Sequence, residues 1–151
     1  MKNLFIFVLV LVFLGLNVVN PCNGCPIILR GYVVHIKSDI PNDNVTVHCQ
    51  SKDDDVGYHV LHSPNLEFQW KFCETITGST LFFCHFWWQN KEQIFDVFNI
   101  SMAQWCFVDH LEGNTCHWEI KDDGFYFYEP HNYVWLKQYS WKQIPEGKLI
   151  F

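Results

Sequence analysis

The chain is short of positive charge. Ten Lys and Arg stand against 16 Asp and Glu, a formal net charge of −6. Binding to nucleic acid needs clustered basic charge to neutralise phosphate, so nonspecific nucleic-acid binding is excluded as an expectation. Adhesion to anionic lipid is disfavoured for the same reason. Long apolar runs are also scarce. One covers Leu4 to Leu16, preceded by Lys2. It is too short to span a bilayer, which takes roughly 20 apolar residues. With its basic start it reads as a secretory signal peptide. We place that leader at residues 1–22 and the domain at 23–151. Pro21 argues against cleavage just after Asn20, whereas cleavage after Cys22 or Gly24 is acceptable. No second such run follows, so stable membrane insertion is not expected.

Catalytic signatures are missing as well. There is no H-E-x-x-H, no G-x-S-x-G elbow and no phosphate-binding glycine loop. A paired-carboxylate hydrolase would leave no such signature, but nothing speaks for one. The eight histidines, among them His35, His48, His59, His62, His85 and His117, show no metal-ligand spacing. Asp53-Asp54-Asp55 ahead of Gly57 invites a calcium reading. The EF-hand spacing fails, because Pro64 stands where the bidentate Glu is required. A solvated acidic turn fits better. Cys22-Asn23-Gly24-Cys25 has redox spacing but lies at the leader boundary, outside any βαβ pattern. No metal, no cofactor and no enzymatic activity are expected.

What the chain does have is cysteine, aromatic side chains and alternation. Cys22, Cys25, Cys49, Cys73, Cys84, Cys106 and Cys116 suggest disulfides in a secreted domain. An odd count leaves one unpaired unless cleavage removes Cys22. Val45, Val47 and Cys49 alternate with Thr46, His48 and Gln50. Leu66, Phe68, Trp70 and Phe72 alternate with Glu67, Gln69 and Lys71. Cys116, Trp118 and Ile120 alternate with His117 and Glu119. Tyr32 to Lys37, Leu81 to Trp88, Ile94 to Ile100, Phe125 to Tyr128 and Tyr133 to Tyr139 complete a set of short strands. A short helical turn is an alternative for part of Ile94 to Ala103. Asp122-Asp123-Gly124 reads as a hairpin turn. The fold class is therefore all-β: a single disulfide-stabilised β-sandwich of about eight strands. The 7 Trp, 6 Tyr and 14 Phe supply its core, since each ring buries about 150–250 Å². Trp87 and Trp88 should face opposite ways, and a solvent-facing one would be a contact candidate.

Asn44-Val45-Thr46 and Asn99-Ile100-Ser101 are glycosylation sequons. Asn114-Thr115-Cys116 is the weaker cysteine variant.

The order of several elements resembles the plant self-incompatibility protein homologues. They are the Cys49 strand with Gln50-Ser51-Lys52-Asp53-Asp54-Asp55, Trp70 with Phe72, and Phe82-Phe83-Cys84. Phe95-Asp96-Val97-Phe98, Cys106, Cys116 with Trp118, and Asp123-Gly124-Phe125-Tyr126 follow. The resemblance covers roughly Tyr32 to Tyr139. It implies a small secreted sandwich with disulfides among Cys49, Cys84, Cys106 and Cys116. Three connectivities are possible. The preferred one is Cys49–Cys116 with Cys84–Cys106, and Cys73 with Cys25 is the candidate third bridge. Founding members are stigma-secreted determinants that engage a receptor on pollen and trigger a calcium-dependent rejection. By resemblance this chain is expected to be a monomeric extracellular signalling ligand for a cell-surface receptor protein. Its contact loops would be Lys52 to Tyr58, with Asp53, Asp54 and Asp55, and Asp109 to Asn114, with Glu112. A secreted carbohydrate-binding module, stacking sugars on exposed Trp or Tyr, is the alternative.

Overall fold

A computed structural model of the chain describes residues 24–26, 28–62, 67–109 and 113–145. The expected leader, Cys22, Leu66 and Glu112 lie outside the described residues. Two sheets face each other. The six-stranded sheet has the order β10-β9-β8-β1-β4, with β7 added beside β8. Its members are β1 (Gly31–Ser38), β4 (Glu67–Cys73), β7 (Phe107–Asp109), β8 (Gly113–Lys121), β9 (Gly124–Glu129) and β10 (Val134–Tyr139). The five-stranded sheet has the order β11-β6-β5-β2-β3. It contains β2 (Asn44–Gln50), β3 (Asp55–His62), β5 (Phe82–Trp88), β6 (Lys91–Phe98) and β11 (Lys142–Gln143). One short helix, α1 (Ile100–Ala103), follows β6.

The period-2 pattern decides which side chains meet. Val45, Val47 and Cys49 of β2, Phe82, Cys84 and Phe86 of β5, and Cys116, Trp118 and Ile120 of β8 are all buried in one core. Trp118 sits at its centre, with ring centroids 5.0 Å from both Phe95 and Phe127. Its indole N–H donates to the Val97 carbonyl at 3.0 Å, so the largest side chain also ties one sheet to the other. Trp88 is buried and Trp87 lies on the opposite, partly exposed face, as alternation along a strand requires.

Three bridges pin this frame: Cys25–Cys73, Cys49–Cys84 and Cys106–Cys116. The preferred connectivity of Cys49–Cys116 and Cys84–Cys106 is thus corrected. Spacing alone does not reveal which strands become neighbours. Cys49 and Cys84 are direct partners on adjacent strands β2 and β5, with Cα atoms 4.1 Å apart. Cys106 follows α1 and closes on β8 only 10 residues later. Each bridge contributes about 2–4 kcal/mol, chiefly by restricting the unfolded chain.

The chain forms more strands than the alternation pattern indicated. β3 is the main addition. It lies at a sheet edge, and although Val56, Tyr58 and Val60 alternate with Gly57 and His59, Tyr58 and Val60 face solvent, so the alternation does not mark a buried face. β7 and β11 are three and two residues long. The expected strand at Ile94 to Ile100 runs instead over Lys91–Phe98, and Asn99 stops it by capping α1 with its side-chain oxygen.

Strand registers define two ends of the sandwich. Gly31, Cys73 and Gly113 lie at one end of the six-stranded sheet, and Asp109 pairs with Gly113 there. The turn after β2 and the start of β5 reach the same end, because Gln50, Ser51, Phe72, Cys73 and Phe82 line one shared cleft. The opposite end carries Asp43, Gln89, Gly124 and Trp141.

Candidate loop-end recognition site

The shared cleft has a volume of about 490 Å³ and opens to solvent. One wall is the turn from β2 to β3, the other the connection from β4 to β5. In the first wall, Ser51 organises the backbone. Its hydroxyl oxygen accepts from the amides of Asp54 at 2.9 Å and Asp53 at 3.3 Å. The Ser51 amide donates to the Asp54 carbonyl at 2.7 Å. The side chains of Lys52, Asp53 and Asp54 are left exposed.

Asp55 fixes where this turn enters β3. Its carboxylate accepts from the Gly57 amide at 2.9 Å and meets His48 Nε2 at 2.8 Å. The His48 hydrogen bond, then the Gly57 one, hold the Asp55 carboxyl below its ordinary range. Gly57 adopts φ +89°, a left-handed conformation that favours glycine. It sits beside the register shift between Cys49 and Gln50, the kind of irregularity that bends a strand.

The second wall is built of hydroxyls. Thr80 Oγ1 accepts from the Thr75 amide at 2.9 Å, and Thr75 Oγ1 accepts from the Ser79 amide at 3.0 Å. Thr75, Thr77 and Ser79 hydroxyls are linked at 2.8 to 3.3 Å. Ile76 projects from this loop, 83% exposed. The Cys25–Cys73 bridge anchors its start and Cys49–Cys84 clamps β2 to β5 behind it.

The structure therefore brings Lys52, Asp53, Asp54 and Asp55 together at one end, and sets Asp109 at that end of the other sheet. Glu112 lies outside the described residues. The loop at residues 74–81 was missed as a contact surface. The run Thr75-Ile76-Thr77-Gly78-Ser79-Thr80 is a turn signal in the sequence, but only the pairing of β4 with β1 puts it opposite the acidic turn. Asn44 is exposed at the far end, where its side chain meets His62. Asn99 caps α1 at the loop end. Asn114 donates through its side chain to the Gly31 carbonyl at 3.1 Å.

Solvent-facing rings form a different patch, on the outer face of the five-stranded sheet. Tyr58, 65% exposed, stacks on His48 with centroids 4.1 Å apart and planes within 4°. Trp87 stacks on His85 at 3.8 Å and on Tyr58 at 6.0 Å. These rings stack on one another along the sheet face.

Among the described residues no helix is long and apolar enough to cross a membrane, and no group of three or more His, Cys, Asp or Glu is placed to hold a metal ion.

Residues 33–141 match the family model described as plant self-incompatibility protein S1. S-protein homolog 5 of Arabidopsis thaliana is 38% identical over 101 residues, which cover 67% of this chain and 73% of the relative. S-protein homolog 27 is 30% identical over 138 residues, covering 89% and 87%. S-protein homolog 29 is 30% identical over 142 residues, covering 93% and 99%. The match spans both sheets and the cleft walls between them, and the chain belongs to the plant self-incompatibility protein S1 family.

Proposed function

We propose that the protein is a secreted, non-enzymatic extracellular ligand of plant cells that acts by binding a cell-surface receptor through its loop end. One observation carries this reading. At that end the backbone is fixed by hydrogen bonds internal to each loop, while Lys52, Asp53, Asp54 and Ile76 are left exposed around a cleft. A surface that is ordered before contact loses less conformational entropy on binding. Exposed charge on a rigid scaffold also steers association and gives specificity. Membership of the S1 family supports the same reading, and so does a disulfide-rich fold, which suits an oxidising compartment. In this view residues 1–22 are a removed leader, and Asn44 and Asn99 are glycosylated. The protein acts as a monomer.

The test is binding of fluorescently labelled, disulfide-intact protein to intact plant cells. Asp53→Lys with Asp54→Lys should weaken saturable binding at least tenfold, while Lys142→Glu at the far end leaves it unchanged. Equal binding by the loop variant and the unaltered protein would remove the loop end from the reading. The absence of any saturable binding would remove the ligand role.

A further inference from the structure

On the outer face of the six-stranded sheet two histidines stand side by side. β1 and β8 run parallel, and their register sets His35 directly opposite His117. The rings meet edge to face, with centroids 5.1 Å apart and planes at 75°. Their Nδ1 atoms are 3.2 Å apart. Both residues are partly buried. His35 Nε2 lies 2.9 Å from the Glu67 carboxylate. A carboxylate can only accept, so His35 carries its proton on Nε2 and its Nδ1 is a bare lone pair in the neutral ring. That lone pair faces His117 Nδ1.

We propose that His35 and His117 bind one divalent transition-metal ion of the kind that prefers imidazole, Cu²⁺, Zn²⁺ or Ni²⁺, through both Nδ1 atoms. Water completes the coordination shell. The separation of the nitrogens is the first argument. Metal–imidazole bonds are about 2.0–2.1 Å. Square-planar or tetrahedral angles then put two ligating nitrogens roughly 2.9–3.4 Å apart. The observed 3.2 Å lies within that range, so turning the two rings toward a shared ion is enough to close the site. The second argument lies behind the ligand. A metal-binding histidine ordinarily donates its other N–H to a carboxylate or carbonyl, which orients the ring and raises its basicity. Glu67 already does this for His35. The third is rigidity: β1 lies inside its sheet, flanked by β4 and β8, so one ligand is on an interior strand and the other on its hydrogen-bonded neighbour.

The surroundings are compatible with an added cation. Lys37 and Lys121 both pair with Glu119. Gln69 is the partner of His35 on β4, and Tyr128 stands edge-on to His117 at 6.3 Å. In the metal-free protein the His117 Nδ1–H donates to His35 Nδ1. Coordination displaces the proton held between the two Nδ1 atoms, and that proton leaves to the buffer. The site uses preferences of imidazole alone and is independent of the receptor reading.

The experiment is calorimetric titration of the disulfide-intact protein with CuCl₂ and ZnCl₂ near pH 7 in a non-chelating buffer. NMR of the histidine ring protons is run alongside. One ion per chain should bind, with Cu²⁺ broadening the His35 and His117 resonances before those of His48, His59, His62 and His85. His35→Gln and His117→Gln should each weaken binding at least tenfold. Glu67→Gln should keep the stoichiometry and weaken binding by several-fold or more. Circular dichroism reports whether each variant folds, and the broadening pattern of the unaltered protein decides the site even if one does not. No saturation below about 1 mM of either ion overturns the proposal. So does first broadening at other histidines, or binding that survives both ligand substitutions.

Discussion

The two ends of the sandwich are built from similar turn residues but close in different ways. At the far end, side chains of the turns are tied to buried rings. The Trp88 indole N–H donates to Asp43 at 2.8 Å, and Gln89 donates to the same carboxylate at 2.8 Å. The Trp141 indole N–H donates to the Lys121 carbonyl at 2.8 Å, and its ring lies 5.5 Å from Trp88 and 4.4 Å from Phe125. Gly124 has no room for a side chain, because a Cβ there would collide with the Tyr139 carbonyl. At the loop end, hydrogen bonds of the turns at residues 51–54 and 75–80 stay within each turn. Sealing one end with tryptophan supplies stability that the other end need not supply. The loop-end side chains are thereby released for contact.

The largest expected effect comes from unsealing the far end. Trp88 is buried, with Lys91 Nζ 4.2 Å above its ring. Trp88→Ala should cost about 3–5 kcal/mol of stability, the usual range for truncating a buried ring. The denaturation midpoint with disulfides intact measures it. Protection of the amides of residues 51–54 should change far less than that of residues near Asp43. Equal loss at both ends would mean that the ends are not energetically distinct.

A smaller effect follows from pH. Hydrogen bonds from Trp88, then Gln89 and the Asn44 amide, hold the Asp43 carboxyl below its ordinary range. A carboxyl depressed in the folded state stabilises the fold above its unfolded pKa, about 3.9, and loses that contribution as pH falls through the folded value. The stability difference between the unaltered protein and Asp43→Asn should therefore be constant from pH 7 to about pH 5 and shrink below pH 4. Denaturant midpoints at stepped pH measure it. A difference that grows on acidification would reverse the assignment.

How much of this was legible in the sequence depends on where the signal arises. Alternation at Val45-Val47-Cys49 and Cys116-Trp118-Ile120 reports a buried face, and these strands form as the pattern requires. β3 buries little besides Leu61. Its apolar Tyr58 and Val60 are exposed on an edge strand held by hydrogen bonds to β2, so their alternation with Gly57 and His59 reports pairing and not burial. Disulfide partners were hidden for a related reason. Spacing cannot say that β5 docks beside β2 while β4 crosses to the other sheet. The acidic turn was readable from its charge, but its hydroxyl-rich opposite wall depended on that same crossover.

The smallest expected change in stability is at Ser51, where the comparison is sharpest. Ser51→Ala removes the oxygen that accepts from the Asp53 and Asp54 amides, while the backbone bond from the Ser51 amide to the Asp54 carbonyl remains. The turn is solvent-exposed, so water replaces the lost acceptor and the cost should be about 0.5–1.5 kcal/mol at most. Order should suffer more than stability. Amide hydrogen exchange at Asp53 and Asp54 should accelerate, while exchange at Trp118 and across β5 stays at its original rate, because local opening need not involve the core. Binding to plant cells should weaken through the added cost of ordering the turn, with every contact side chain still present. A variant with faster exchange at residues 53–54 and undiminished binding would separate turn order from recognition, leaving exposed charge alone as the determinant at this end.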